Sequence, residues 1–311
     1  MKKMYNGTAI EGLVYQHDLT LKVSGPNSAN PGTEFISGNI EIATDDAMVN
    51  IVPVHYTYVT AMNKNGKANN TFIVLKNFID KVYKTVMADG AENASMVKID
   101  SAIGLNEFYS DRSGTEELVS VKRNEGGFIH VVNSINADEN ERNKFDVDIV
   151  ITGVRRIEAD DEKGLPEKGI VKGAIFDFRK SLLPVELSVV NPAAIDYFES
   201  LGATSSNPVF TRVKGNQISE TIVKTFEEES AFGAPSIRTT KSTRKDFVIT
   251  WAAKETYEWD SEESITAQEF LQAIAERETA LATMKQRSEE YKASKNQAST
   301  PAVPAPGGFN F

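Results

Sequence analysis

The sequence predicts a mainly β chain of two similar five-stranded units, followed by a helix and a tail. Three observations carry this. The pentapeptide DIVIT at 148–152 returns as DFVIT at 246–250. The segments IEGLVY (10–15) and VKGAIF (171–176) share the pattern β-branched, charged, Gly, apolar, β-branched, aromatic. A helical stretch stands in the middle of each half, flanked by segments rich in the β-branched residues that favour strands.

Each pentapeptide follows basic or polar residues and precedes an acidic stretch, IEADDE or YEWDSE. Both therefore read as the closing strand of a unit. A glycine within a strand marks a bulge or a sharp bend, as a strand turning the corner of a small barrel requires. In the first half, 71–89 places Phe72, Leu75, Phe78, Ile79 and Val82 at helical spacing. In the second, NPAAIDYFESLG (191–202) offers Asn191 as N-cap, Pro192 at the first helical position and Gly202 as stop. After the helices come SMVKIDS (95–101) and NPVFTRVKG (207–215). ELVSVKRNEGGFIHVVN (117–133) then reads as a hairpin with a Gly-Gly turn, and SETIVKTFEEES (219–230) leads into a long loop. Reduced to its minimum, each half is strand, strand, strand, helix, strand, strand. That is the order of the OB-fold.

The expected organisation is a first OB-like barrel over 1–160, a linker over 161–169, a second barrel over 170–262, a helix over 263–296 and a disordered tail over 297–311. The helix opens on a capping box, Thr266 with Glu269, and carries an apolar stripe of Ile265, Phe270, Ile274, Leu281 and Met284. That stripe can lie back on a barrel or on another subunit, so a homo-oligomer stays open. The tail is rich in Pro, Ala and Gly and ends Gly-Gly-Phe-Asn-Phe, which makes Phe309 and Phe311 candidate contacts for a partner.

Composition narrows the chemistry. The 311 residues include no cysteine and three scattered histidines, so thiolate metal sites, disulfides and a cysteine nucleophile are excluded. No phosphate loop, dinucleotide fingerprint, zinc-protease or serine-hydrolase signature occurs. Acidic groups at Asp45–Asp46, Glu116–Glu117, 160–162 and 227–229 read as solvated turns rather than metal ligands. No enzyme activity, cofactor or metal is expected. No apolar run reaches membrane-spanning length, and MKKMYNGTAI lacks the apolar core of a secretory signal.

Basic residues point elsewhere. PSIRTTKSTRK (235–245) holds Arg238, Lys241, Arg244 and Lys245 without an acid, among hydroxyls that also donate to phosphate. It reads as the loop before the last strand, which in an OB-fold borders the nucleic-acid groove. Stacking partners for bases are sought among Tyr15, Tyr56 and Tyr58 in the first half, and Phe176, Phe178, Phe210 and Trp251 in the second. Arg179, Arg212 and Lys214 stand beside the second set. Alternation puts Phe176 and Phe178 on one strand face, and Phe210 with Arg212 on another.

The tandem pattern over 7–260, with SETIVKTFEEESAFGAPSIR and the DFVIT strand, resembles phage-encoded single-stranded DNA-binding proteins with OB-folds. The resemblance implies binding of single strands with little sequence preference, a role in phage DNA replication or recombination, and the host cytoplasm as location. The tail resembles those through which bacterial single-stranded DNA-binding proteins recruit replication partners, although its tip lacks acid. The net charge of −10 is compatible with this if the groove is locally positive. A second reading is a virion structural or assembly protein without nucleic-acid binding. A third, a nuclease, would need converging carboxylates that the sequence does not offer.

Overall fold

The structure, a computed structural model, describes residues 4–112, 115–159, 166–228, 236–261 and 264–298; of 220–228, 236–244 and 294–298 it describes the backbone alone. The chain is mainly β with a C-terminal helix. In order, the elements are β1 (Asn6–His17), β2 (Thr20–Val23), β3 (Glu34–Ala43), β4 (Ile51–Thr60), α1 (Asn70–Ile79), α2 (Val86–Asp89), β5 (Met96–Ser110) and β6 (Glu117–Val132). They continue as β7 (Asn143–Ile157), β8 (Lys168–Phe176), β9 (Leu182–Val189), α3 (Pro192–Ser200), β10 (Val209–Glu228), β11 (Ser236–Ala252) and α4 (Ala267–Ala298).

Strand pairing closes two circuits. In the first, β1 pairs with β3, β3 with β4, β4 in parallel with β6, β6 with β5, and β5 with β1. In the second, β7 pairs with β8, β8 with β9, β9 in parallel with β11, β11 with β10, and β10 with β7. Each circuit places its helix between its third and fourth strands and encloses its own apolar core. Ile10, Val54, Tyr56, Leu75, Phe78 and Ile99 fill the first, and Phe145, Ile149, Ile175, Leu187, Phe198 and Val213 the second.

The pairing differs from the sequence reading in where one circuit ends. DIVIT lies in β7, the opening strand of the second circuit, so DIVIT and DFVIT belong to the same ring. The physical cause is β6. Its Gly126–Gly127 pair makes no turn, and the strand runs through to Val132. A Cβ on Gly126 would stand 2.3 Å from the Tyr56 ring, and one on Gly127 1.9 Å from the Asp100 carbonyl. The glycines admit a close approach at a register shift between β5 and β6. β6 thereby closes the first circuit. The changeover falls at 133–142, and the segment expected as a linker joins β7 to β8 within the second circuit.

The first helix is also shorter than its apolar spacing suggests. It stops at Asp80, Lys81 takes a left-handed φ of 60°, and Val82 is exposed. α3 forms as expected, with Asn191 accepting from the Ala193 and Ala194 amides and Gly202 at φ +59°.

Helix α4 opens on the expected capping box, with both reciprocal bonds at 3.0 Å. Ile265, Phe270 and Ala273 are buried against Phe176, Leu182 and Phe210 of the second circuit. Farther along, Arg277 binds Glu107 and Lys292 binds Glu116 and Asp111. The helix therefore packs on its own chain, running from the second circuit along β5 of the first.

Candidate nucleic-acid interface

The two circuits meet through β1, which pairs with β5 on one side and with β7 on the other, Asn6 opposite Val147 to Ile10 opposite Asn143. Amide side chains lock this joint. Asn124 donates to the Gln217 side chain at 2.8 Å, Asn143 to the Gln217 carbonyl at 3.0 Å, and Asn50 brackets Gln217 and Ser219. Half-buried Lys122 of β6 reaches across to the Glu186 carbonyl and over the Phe247 ring. Burial lowers the pKa of its ammonium.

A groove of about 520 Å³ crosses the joint, with Tyr5, Lys144, Asp146, Lys214 and Trp251 among its lining. Its chemistry is organised around Asp146 on β7. Arg212 on β10 forks onto this carboxylate through Nε at 2.7 Å and Nη2 at 2.8 Å, and its guanidinium lies 4.6 Å from the Tyr5 ring centre. The fork raises the Arg212 pKa further. Lys214, two residues on and facing the same way, stands 3.4 Å from the same carboxylate and 5.1 Å from the Trp251 ring centre. Arg212 and Lys214 share this one anion, while Asp100 and Glu141 also line the groove and Glu141 pairs with Lys144 at 2.7 Å. Each cation is pinned beside an aromatic face by strand alternation and by cross-strand pairing of Lys214 with Trp251 and with Asp146. Tyr5 and Trp251 remain 46% and 48% exposed, enough to offer ring surface to a base.

Of the residues expected from sequence, Arg212, Lys214 and Trp251 are brought together here. Lys245 is exposed on β11 at the mouth of a second hollow between the circuits. The stretch holding Arg238, Lys241 and Arg244 is not a loop. It is β strand, paired with β10 from Ser219–Lys245 out to Glu228–Ser236 as a long ribbon. The side chains of Arg238, Lys241 and Arg244 lie outside the described residues, as do Phe309 and Phe311.

Three aromatic expectations are corrected. Phe210 shares its strand face with Arg212, but α4 and the Tyr257–Trp259 segment cover that end of the face and bury it, 4.6 Å from Tyr257. Tyr56 is buried in the first core, its hydroxyl without a partner and its pKa raised by burial. Phe176 and Phe178 share no strand face. β8 ends at Phe176, which is fully buried, and Phe178 sits 85% exposed in the following turn with Arg179 over its ring. Tyr58 is 44% exposed, stacked on Phe35 at 4.4 Å and bonded to Ser24. Tyr15 is half-buried on β1.

The sequence reading passed over Tyr5, Lys144, Asp146 and Phe128. The signal for Phe128 was present, an aromatic alternating with core Ile129, but the supposed Gly-Gly turn hid it. The acidic groups have structural work where described. Asp45 caps its own turn through the Val49 and Asn50 amides, Asp46 binds Arg142, and Glu116 binds Lys292.

A model of the YorF family matches residues 6–287. No curated protein matches the chain. Two solved structures similar to it are of the single-stranded DNA binding protein from Thermus aquaticus. The wild type shows 8% identity and a TM-score of 0.46, covering 85% of this chain and 98% of that one. A deletion mutant shows 9% identity and the same TM-score, covering 85% and 100%. The interface described above rests on the chain's own geometry.

Proposed function

Taking the chain as a member of the YorF family, to which it belongs, we propose that it is a non-catalytic protein that binds single-stranded DNA. The groove at the joint carries this reading. It places two exposed aromatic rings beside Arg212 and Lys214, which share the single Asp146 carboxylate. Bases stack on the rings with little regard to sequence, and phosphates add charge-dependent affinity. The closed five-stranded circuits, each with its helix between third and fourth strands, support an OB-like scaffold for such a groove. In sequence, β11 also carries Arg238, Lys241, Arg244 and Lys245. The setting we propose is phage DNA replication or recombination in a host cytoplasm, with the C-terminal tail as a contact for other replication proteins. Among the described residues, no helix is long and apolar enough to cross a membrane.

The test is fluorescence anisotropy with labelled oligo-dT, comparing wild type with a Lys214→Ala, Trp251→Ala double variant. Both side chains are exposed, so folding should be unaffected. Loss of one stack and one phosphate contact should weaken binding by about 2–4 kcal/mol. Unchanged affinity would remove the groove from the account.

A further inference from the structure

The surface that holds the groove continues past β1. Trp251 stands opposite Lys214, Lys214 opposite Asp146, and Asp146 opposite Gly7. Two residues along β1, Ala9 stands opposite Asp100, and Asp100 opposite Phe128. The strands β11, β10, β7, β1, β5 and β6 are thus consecutive hydrogen-bonded neighbours. At roughly 4.8 Å per strand, the path from Trp251 to Phe128 crosses about 24 Å of sheet, with a further two-residue step along β1. Val213, Val147, Ile10, Ile99 and Ile129 occupy the opposite, core-facing side.

Phe128 is 71% exposed and contributes little to either core. Beyond it the face opens into a trough of about 570 Å³ that it shares with Tyr58 and His130. The Tyr58 ring is fixed by its Phe35 stack and Ser24 bond, so its outer face is held ready rather than mobile. The trough runs on, through Tyr58 and Asn63, to a further hollow that includes Lys64.

We propose that both circuits bind one and the same single strand, along a continuous path from Trp251 past Tyr5 to Phe128 and Tyr58. This rests on the single-stranded DNA reading above. Aromatic rings stand at both ends and near the middle of the path, with Lys214 and Lys64 beside it and Lys144 paired with Glu141 in the groove. Asp100, directly opposite Phe128, disfavours phosphate there, so a base rather than the backbone crosses β5. The joint makes the two ends act together. The β1–β7 ladder and the amide contacts to Gln217 fix their spacing before any strand arrives.

The experiment titrates the full chain with labelled oligo-dT of about 20 nucleotides, long enough to span the path. It compares wild type, Trp251→Ala, and a Phe128→Ala, Tyr58→Ala double variant, with urea midpoints as a folding control. The expected result is one strand per chain in a single binding event. Each variant should weaken that same event by about tenfold or more. Full affinity in the Phe128→Ala, Tyr58→Ala variant overturns the path while leaving the groove at the joint intact. So does a stoichiometry of two independent strands per chain, with each variant removing one of them. A wild type that binds no single strand at low salt overturns the path together with the function it rests on.

Discussion

Tyr56 and Tyr58 occupy the same strand and the same alternation, yet one is buried and the other exposed. The cause lies across the ladder. Gly38, at φ +137°, stands opposite Tyr56, and the register shifts there, so beyond Tyr56 the core side passes to Val59, opposite buried Ile36, and Tyr58 is left outside. No local pattern in the tyrosines themselves carries that information. The Tyr56 hydroxyl is left buried without a partner, which costs about 1–3 kcal/mol for a desolvated donor. Tyr56→Phe should therefore raise the urea midpoint, by a gain of about 1 kcal/mol, and leave oligo-dT affinity unchanged. A fall in affinity would restore Tyr56 to the interface. Phe176 and Phe178 make the same point, since a turn closed by Asp177, which accepts from the Arg179 and Ser181 amides, separates a core ring from a surface ring.

Elements with local signals were legible in the sequence. Asn191 and Pro192 announce α3, and Thr266 with Glu269 announces α4, because caps act within one turn. Most strands were legible too, although β7 was assigned to the end of the first unit when it opens the second. Their pairing was not, since ring closure depends on contacts far apart in sequence. Gly126–Gly127 shows how the error arose. Locally it has the composition of a hairpin turn, but the second glycine is required by the Asp100 carbonyl on the neighbouring strand. Gly127→Ala places a methyl 1.9 Å from that backbone oxygen, which no side-chain rotation relieves. We expect a loss of about 3 kcal/mol or more, read as a lower urea midpoint. A variant of wild-type stability would mean that β6 is not held at this approach. The basic stretch was misread for a related reason. Serine and threonine among lysines look like a loop, yet their pairing partner in β10 makes them a ribbon.

The molecule is acidic overall, with a net charge of −10, and its candidate interface is local. Many of its carboxylates are engaged elsewhere. Glu107, Asp111 and Glu116 hold α4 against β5, and Glu167, Asp196 and Glu199 surround Arg156. The joint between circuits turns two small rings into one face, and that face carries Trp251, Lys214, Tyr5 and Phe128. Arg212 and Lys214 were legible as candidates from charge alone. Their shared carboxylate and their aromatic neighbours were not, because Asp146 and Tyr5 reach them from other strands.

The central claim is preference for single strands through charge and stacking. Its most direct measurement is the oligo-dT affinity of the wild type across a salt series, beside a duplex of equal length and a variant with Arg238, Lys241, Arg244 and Lys245 changed to Ala. The account predicts tight single-strand binding that falls linearly on a log–log salt plot, by about 0.7 in slope for each phosphate contacted. It predicts weaker duplex binding, and a shallower slope in the variant. Absence of binding at low salt, or equal affinity for the duplex, would contradict it.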